Sequence, residues 1–411
     1  MANVKPFKAI RPKKGLEARI AALPYDVYNR EEAEREVERE PLSFLKVDRA
    51  ETQFGKEVDT YADCVYEKAH ELLWKMVADR ELMEDDQDCY YIYELIMDGR
   101  SQIGITACAS VDDYVNGIIK KHENTREDKE IDRIRHVDAC KAQTGPIFLA
   151  YRSHPVINEE IKKMREKEPI CNFTAADGIV HKVWKIESKD AVERIRRAFR
   201  EVKSIYIADG HHRCASAVKV SMKRREENPD YTGEEEFNYF LSVLFSDDQL
   251  MIMDYNRVVK DLNGLGTEEY LEAVEKCFHV TRLGDTPYKP EKKGTYGMYL
   301  EDSWYRLEIK EPLHSINPVD ALDVTVIQDR LLGPILGIED PKTDKRIDFV
   351  GGIRGLKELE RRVHTDAKIA FSMYPTSIEE LFAVSDAGML MPPKSTWFEP
   401  KLRSGLFIHR I

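Results

Sequence analysis

Between Val58 and Met76 apolar residues (Val58, Tyr61, Val65, Leu72, Leu73, Met76) return at helical spacing, which predicts a long amphipathic helix. "CYYIYELI" and "IGITACASV" then read as strands joined by "MDGRSQ", where Asp98-Gly99 is a hairpin signal. Upstream, "REEAEREVERE" (30–40) reads as a solvated helix. Pro6, Pro12, Pro24 and "LPYDVYN" (23–29) mark extended chain and a turn. Tyr25 and Asp26 in that run either fold onto a pocket or simply make the turn. Together these segments predict a first α+β unit, residues 1–115.

The stretch 121–151 begins as a polar loop and becomes helical, and "DAVERIRRAFREV" (190–202) is a helix leading into the strand "SIYIA". "CASAVKVSMKRRE" continues as a helix, while "FNYFLSVLFS" and "LMIMDYNRVV" read as strands. Alternation of this kind predicts an α/β core at 116–264. A C-terminal α/β unit, 265–411, follows with a helix at 267–278, strands "TYGMYL" and "WYRLEI", a helix at 319–332, and the pair "KIAFSMY" and "SIEELFAVSDAG". The fold class is therefore mixed α/β.

Composition narrows the function. The chain has 411 residues, 42% hydrophobic and 34% charged, as globular proteins do. A net charge of -12 argues against coating nucleic acid, which needs many cations against phosphates. No apolar run approaches a membrane span, and the basic N-terminus has no apolar region after it, so a cytoplasmic protein is expected, with no membrane partner. Seven scattered cysteines without a C-x-x-C pair indicate neither a disulfide framework nor a cysteine zinc site. H-E-x-x-H is also absent.

Chemistry concentrates in three clusters. In "YIADGHHRCASA" (206–217) a strand ends at Asp209-Gly210 and a helix begins. Gly210 permits a positive φ, and the unsatisfied N–H groups of a helix start, with His211, His212 and Arg213, suit a phosphate. The competing reading is that Asp209 only caps the helix. "KHENTRED" (121–128) offers His122, Glu123, Thr125 and Arg126, and its carboxylate can serve as a general base toward a hydroxyl. "MPPKSTWFEPK" (391–401) supplies Lys394, Ser395 and Thr396 after two prolines, again a phosphate-binding set or an ordinary turn. Magnesium needs only one or two carboxylates beside phosphate oxygens, so Asp209 is a candidate Mg²⁺ ligand.

Taken together, "LPYDV", "HENTREDKEIDR", "GPIFLAY", "ADGHHR", "DYNRVV" and "MPPKSTWFEPKL" resemble a bacterial and archaeal family catalogued as a domain of unknown function. That family is in turn similar to the free serine kinases of the ParB/sulfiredoxin fold, which carry D-G-H-H-R after a strand, an upstream H-E pair and a downstream P-K-[ST]-T segment. The resemblance implies a ParB/sulfiredoxin-like core with an added N-terminal unit and a C-terminal extension whose Lys394–Thr396 loop joins the site. It further implies that Glu123 is the base acting on the hydroxyl of free L-serine and Asp209 a catalytic acid or metal-organising carboxylate. Gly210, His211, His212 and Arg213 would hold the transferring phosphate, and His122, Thr125, Lys394, Ser395 and Thr396 would help bind substrate or donor. The donor would be pyrophosphate, ATP or ADP, with Mg²⁺.

Two alternatives stand beside it. A ParB-like nucleotide- or phosphate-binding regulator would need no base, and the acidic balance counts against its DNA-bound form. Sulfiredoxin chemistry would need a cysteine where this chain has His211. Oligomeric state is not legible.

Overall fold

The computed structural model describes residues 1–311 and 315–411. The chain forms two compact units, Met1–Leu250 with Pro400–Ile411, and Met251–Glu399. Residues 1–115 and 116–250, which the sequence divides into two units, share one sheet.

In chain order the first unit's sheet comprises β1 (Val4–Lys5), β2 (Tyr90–Met97), β3 (Arg100–Ser110), β4 (Ile119–Lys120), β5 (Ile147–Tyr151), β6 (Cys171–Thr174), β7 (Val180–Ile186), β8 (Ile205–Asp209) and β9 (Tyr239–Ser246). Among the described residues the strand order is β4-β8-β5-β9-β3-β2-β7-β6, with β1 on β3. β8 runs parallel to β4 and antiparallel to β5, and β5 runs parallel to β9. The remaining pairs are antiparallel, so the sheet is mixed. β2 and β3 close through Asp98 and Gly99, both at positive φ, 51° and 79°, as a two-residue hairpin turn requires. Fully buried Ile92, Ile105, Leu149, Ile205 and Phe240 explain the near-continuous apolar runs in these strands.

The unit's main helices are α1 (Arg30–Arg39), α2 (Asp63–Ala78), α3 (Glu127–Cys140), α4 (Pro155–Arg165), α5 (Lys189–Phe199) and α6 (His211–Glu227). Ile157, Ile195, Phe199, Cys214 and Ala217 carry α4, α5 and α6 onto the sheet core. A second core joins Ala33, Phe44, Val47, Leu73, Met76 and Cys140. Asn29 starts α1 with a reciprocal capping box to Glu32. α2 begins later than its periodicity suggests, because Asp59 accepts the N–H of Tyr61 and closes a turn there. The segment 152–189, for which the hydrophobic pattern gave no reading, holds α4, β6 and β7. Strand β5, expected to continue a helix, lies between β8 and β9.

The second unit is a sheet of β10 (Tyr255–Val259), β11 (Phe278–Gly284), β12 (Thr295–Leu300), β13 (Ser303–Ile309), β14 (Ile347–Gly351) and β15 (Ile369–Ser372), in the order β11-β13-β12-β15-β10-β14. Val258, Trp304, Val350, Leu359 and Ala370 form its core. The strand expected over 250–259 is interrupted at Asp254, whose carbonyl accepts Gly352 N–H at 2.7 Å. The helix expected over 319–332 is an α turn, Asp323–Ile327, passing into a π turn, Gln328–Leu332. Among the described residues no helix is long and apolar enough to cross a membrane.

Candidate functional site

The end of β8 is shaped by a shift in register against β5 between Ile207 and Asp209, which re-aims the strand as it leaves the sheet. Gly210 follows at φ 89°, ψ 32°, and α6 starts at His211. A Cβ at Gly210 would lie 3.1 Å from Nε and Nη2 of Arg213, so the guanidinium folds back over the turn. The opening N–H groups of α6 have no carbonyl four residues behind them, and a positive partial charge gathers there.

Asp209 sits at the centre of this turn. Its Oδ1 accepts the N–H of Gly210 at 2.7 Å, and its Oδ2 accepts Nζ of Lys401 at 2.9 Å. Burial alone would raise its pKa, but the charges of Lys401 and Arg213 outweigh burial and hold the carboxyl well below the usual range. An aspartate held ionised is a poor proton donor, which counts against a part as catalytic acid. It also fits poorly as a ligand of resident Mg²⁺, because both oxygens already accept hydrogen bonds, one of them from an ammonium group. Among the described residues no group of three His, Cys, Asp or Glu side chains is arranged to hold a metal. Lys401 is the residue that sequence reasoning left without a role, although it lies inside the quoted "MPPKSTWFEPKL" run.

The second cluster meets the first. The His122 and His211 rings pack edge to face, centroids 4.6 Å apart. His122 is fully buried and His211 is 7% exposed. Burial lowers His122 to about 4 despite the nearby Asp209, and burial followed by the His122 charge lowers His211 far below the ordinary value. Both rings are buried, and among the described residues His122 Nδ1 and Nε2 and His211 Nε2 have no hydrogen-bond partner. His212 Nε2 accepts the backbone N–H of Arg126 at 3.0 Å, which commits that nitrogen to the loop. Thr125 donates its hydroxyl to Glu130, which Lys219 of α6 also holds. Thr125 thereby braces the loop against Glu130. The loop from His122 to Arg126 is thus fastened to the first two residues of α6, and Glu123, half-buried, lies within it.

Tyr25 reaches the same region. Its ring covers the Arg133 guanidinium at 4.0 Å, and burial pushes its hydroxyl up to about 12, with Arg133 and Arg213 acting the other way. Cys214 is fully buried, and burial raises its thiol, so no reactive sulfur stands at the turn.

The third cluster belongs to the second unit. Lys394 adopts φ 59°, Arg257 Nη2 donates to its carbonyl at 3.2 Å, and its Nζ lies 5.6 Å from the Tyr255 ring. Ser395 Oγ donates to the Pro392 carbonyl at 2.6 Å, and Thr376 Oγ1 to the Ser395 carbonyl at 2.9 Å. The Ser395 hydroxyl is thereby used in holding the loop's shape, while Thr396 is half-buried.

Residues 4–325 match the family described as "Protein of unknown function (DUF1015)". Among curated proteins no sequence matches. Among solved structures, one similar to this chain is a free serine kinase mutant in complex with ADP, at 14% identity and TM-score 0.34, over 72% of this chain and 87% of that one. SbnI with a C-terminal truncation, from Staphylococcus aureus, is 11% identical at TM-score 0.38 over 74% and 87% of the two chains. A conserved hypothetical protein from Pyrococcus furiosus is 15% identical at TM-score 0.34 over 74% and 95%.

Proposed function

Because the chain belongs to the DUF1015 family of proteins of unknown function, we propose its activity from its own site together with the motif resemblance: transfer of a phosphoryl group to the hydroxyl of free L-serine, giving O-phosphoserine. The observation that carries this reading is the turn at Asp209-Gly210. There the Lys401 ammonium, the Arg213 guanidinium and the first N–H groups of α6 gather about a left-handed glycine. Phosphoryl transfer asks for positioning and for charge to be met as it develops, and a preformed set of donors supplies both.

In this reading Glu123 takes the proton of the serine hydroxyl while that oxygen bonds to phosphorus. The bond to the departing phosphate breaks, and its electron pair leaves with the remainder of the donor, as phosphate from pyrophosphate, ADP from ATP or AMP from ADP. Arg213 and the α6 N–H groups hold the transferring oxygens. Asp209 acts as a positioning residue, keeping Lys401 beside the turn. Serine as acceptor, and any part for Lys394, Ser395 and Thr396, rest on the motif resemblance. Magnesium would enter bound to the donor.

A phosphate-binding regulator is favoured by one observation, that Asp209 is held ionised and paired, as in a site that only binds. The two readings separate in one assay of phosphoserine formation from L-serine and Mg²⁺ with ATP, ADP or pyrophosphate. Product with one donor is expected, and no product with any would leave the regulator.

A further inference from the structure

Arg213 also lines a small cavity of about 30 Å³, enough for a group of a few heavy atoms and not for a purine. Tyr25, Asp48, Arg133, Thr144 and Ser404 are among its polar walls, with Pro24, Ile147 and Leu241 among the apolar ones. Six separate stretches of the first unit therefore place polar side chains around one small space.

Two of those groups, Asp48 and Arg213, have no Lys, Arg, Asp or Glu partner within ion-pair distance among the described residues. Asp48 is 4% exposed and accepts the Thr144 hydroxyl at 2.7 Å. Among the described residues the basic group within ion-pair distance of it is His136, at 3.9 Å. Burial and then the Arg133 charge lower the His136 pKa, so that ring is a weak counter-charge. Arg133 pairs with Asp132 at 2.8 Å and acts on Asp48 only at longer range. On the other wall, Arg213 has no carboxylate within ion-pair distance among the described residues and donates Nη1 to the Pro146 carbonyl. A charge drawn from water without a close ion-pair partner is costly. A ligand bringing both signs would relieve the two together.

We infer that this cavity is the subsite for the head of a free amino acid, its ammonium at Asp48 and its carboxylate at Arg213. The inference rests on the kinase reading for the acceptor's hydroxyl, and it adds the residues that select the acceptor's zwitterionic head. Arg213 belongs to both spaces. Its Nε and Nη2 lie over Gly210, while its Nη1 lies 3.7 Å from where a Cβ at Gly145 would stand. One guanidinium thus joins the amino-acid head to the turn proposed for the phosphate. Gly145 keeps the cavity open, since that Cβ would also lie 3.0 Å from Ser404 Oγ.

Calorimetric titration of the full chain tests this with L-serine, ethanolamine, which lacks the carboxylate, and 3-hydroxypropionate, which lacks the ammonium. Serine is expected to bind at least tenfold more tightly than either. Asp48→Asn should weaken serine at least tenfold and leave 3-hydroxypropionate unchanged. Should that variant not fold, Gly145→Ala, which removes no charge, should weaken serine by narrowing the cavity. Equal binding of the three compounds, no binding of serine, or serine affinity unaltered in the variants would overturn the assignment. The two readings fail separately: without phosphoserine formation but with this binding pattern, the subsite stands and the kinase falls. Phosphoserine formation with an unchanged KM for serine in both variants leaves the kinase and removes the subsite.

Discussion

Lys401 Nζ lies 2.9 Å from Asp209 Oδ2, across 192 residues of chain. The pair fixes the charge of the turn at the end of β8, and most of the site's expected behaviour depends on it.

Asp209→Asn removes the negative charge from the bond to Lys401, whose side chain is 17% exposed. Because the Asp209 side chain is 34% exposed, solvent screens the pair and the stability loss should be about 1 kcal/mol. Activity should fall more, on the order of a hundredfold, since donor geometry at the phosphate is disturbed. Lys401→Met should do the same, and the double variant should be little worse than either alone. Additive losses in kcat/KM would show that the two residues act separately.

Gly210→Ala puts a Cβ 3.1 Å from the Arg213 guanidinium at a φ of 89°. Adopting that backbone costs an L-residue roughly 1–2 kcal/mol. The guanidinium must also move, so phosphate affinity should drop at least tenfold, more than the stability loss implies. Chemical denaturation and pyrophosphate titration on one preparation check both.

The fully buried His122 is lowered from 6.5 to about 4. Between those pH values the unfolded chain binds a proton that the folded chain refuses, so stability falls as pH falls through the window, by ~3 kcal/mol in total. His122→Phe should flatten the stability profile there. Asp209 works in the same sense but in a lower window: its contribution is present above the ordinary aspartate pKa and is lost only as pH falls through its lowered folded value. Urea midpoints measured from pH 7 to pH 4 separate the two, because Asp209→Asn should shift the whole range and leave the His122 slope.

Much of this was legible in the chain. The strand, Asp-Gly turn and helix at 205–227 are written in an apolar run that stops at Asp209 and in a glycine where φ must be positive. The union of "HENTR" with "DGHHR" was legible only as co-occurring motifs, because what joins them is the His122–His211 ring contact and the Arg126–His212 bond. Burial was not legible: two adjacent histidines look like donors in sequence, yet one ring is enclosed and the other accepts a backbone N–H. The division at residue 115 was misplaced because β2 and β3 pair with β7 and β9, and periodicity carries no information about such distant partners. Lys401 was invisible as an ion-pair partner for the same reason.

The central claim, a base at Glu123 serving a phosphate held at the α6 turn, is tested most directly by Glu123→Gln, with single-turnover phosphoserine formation and donor affinity measured side by side. The account expects donor affinity within about twofold of the unaltered protein and a rate lower by 10²–10⁴, the range for loss of a general base. Turnover unchanged by the substitution, or rate and donor affinity falling together, would contradict it.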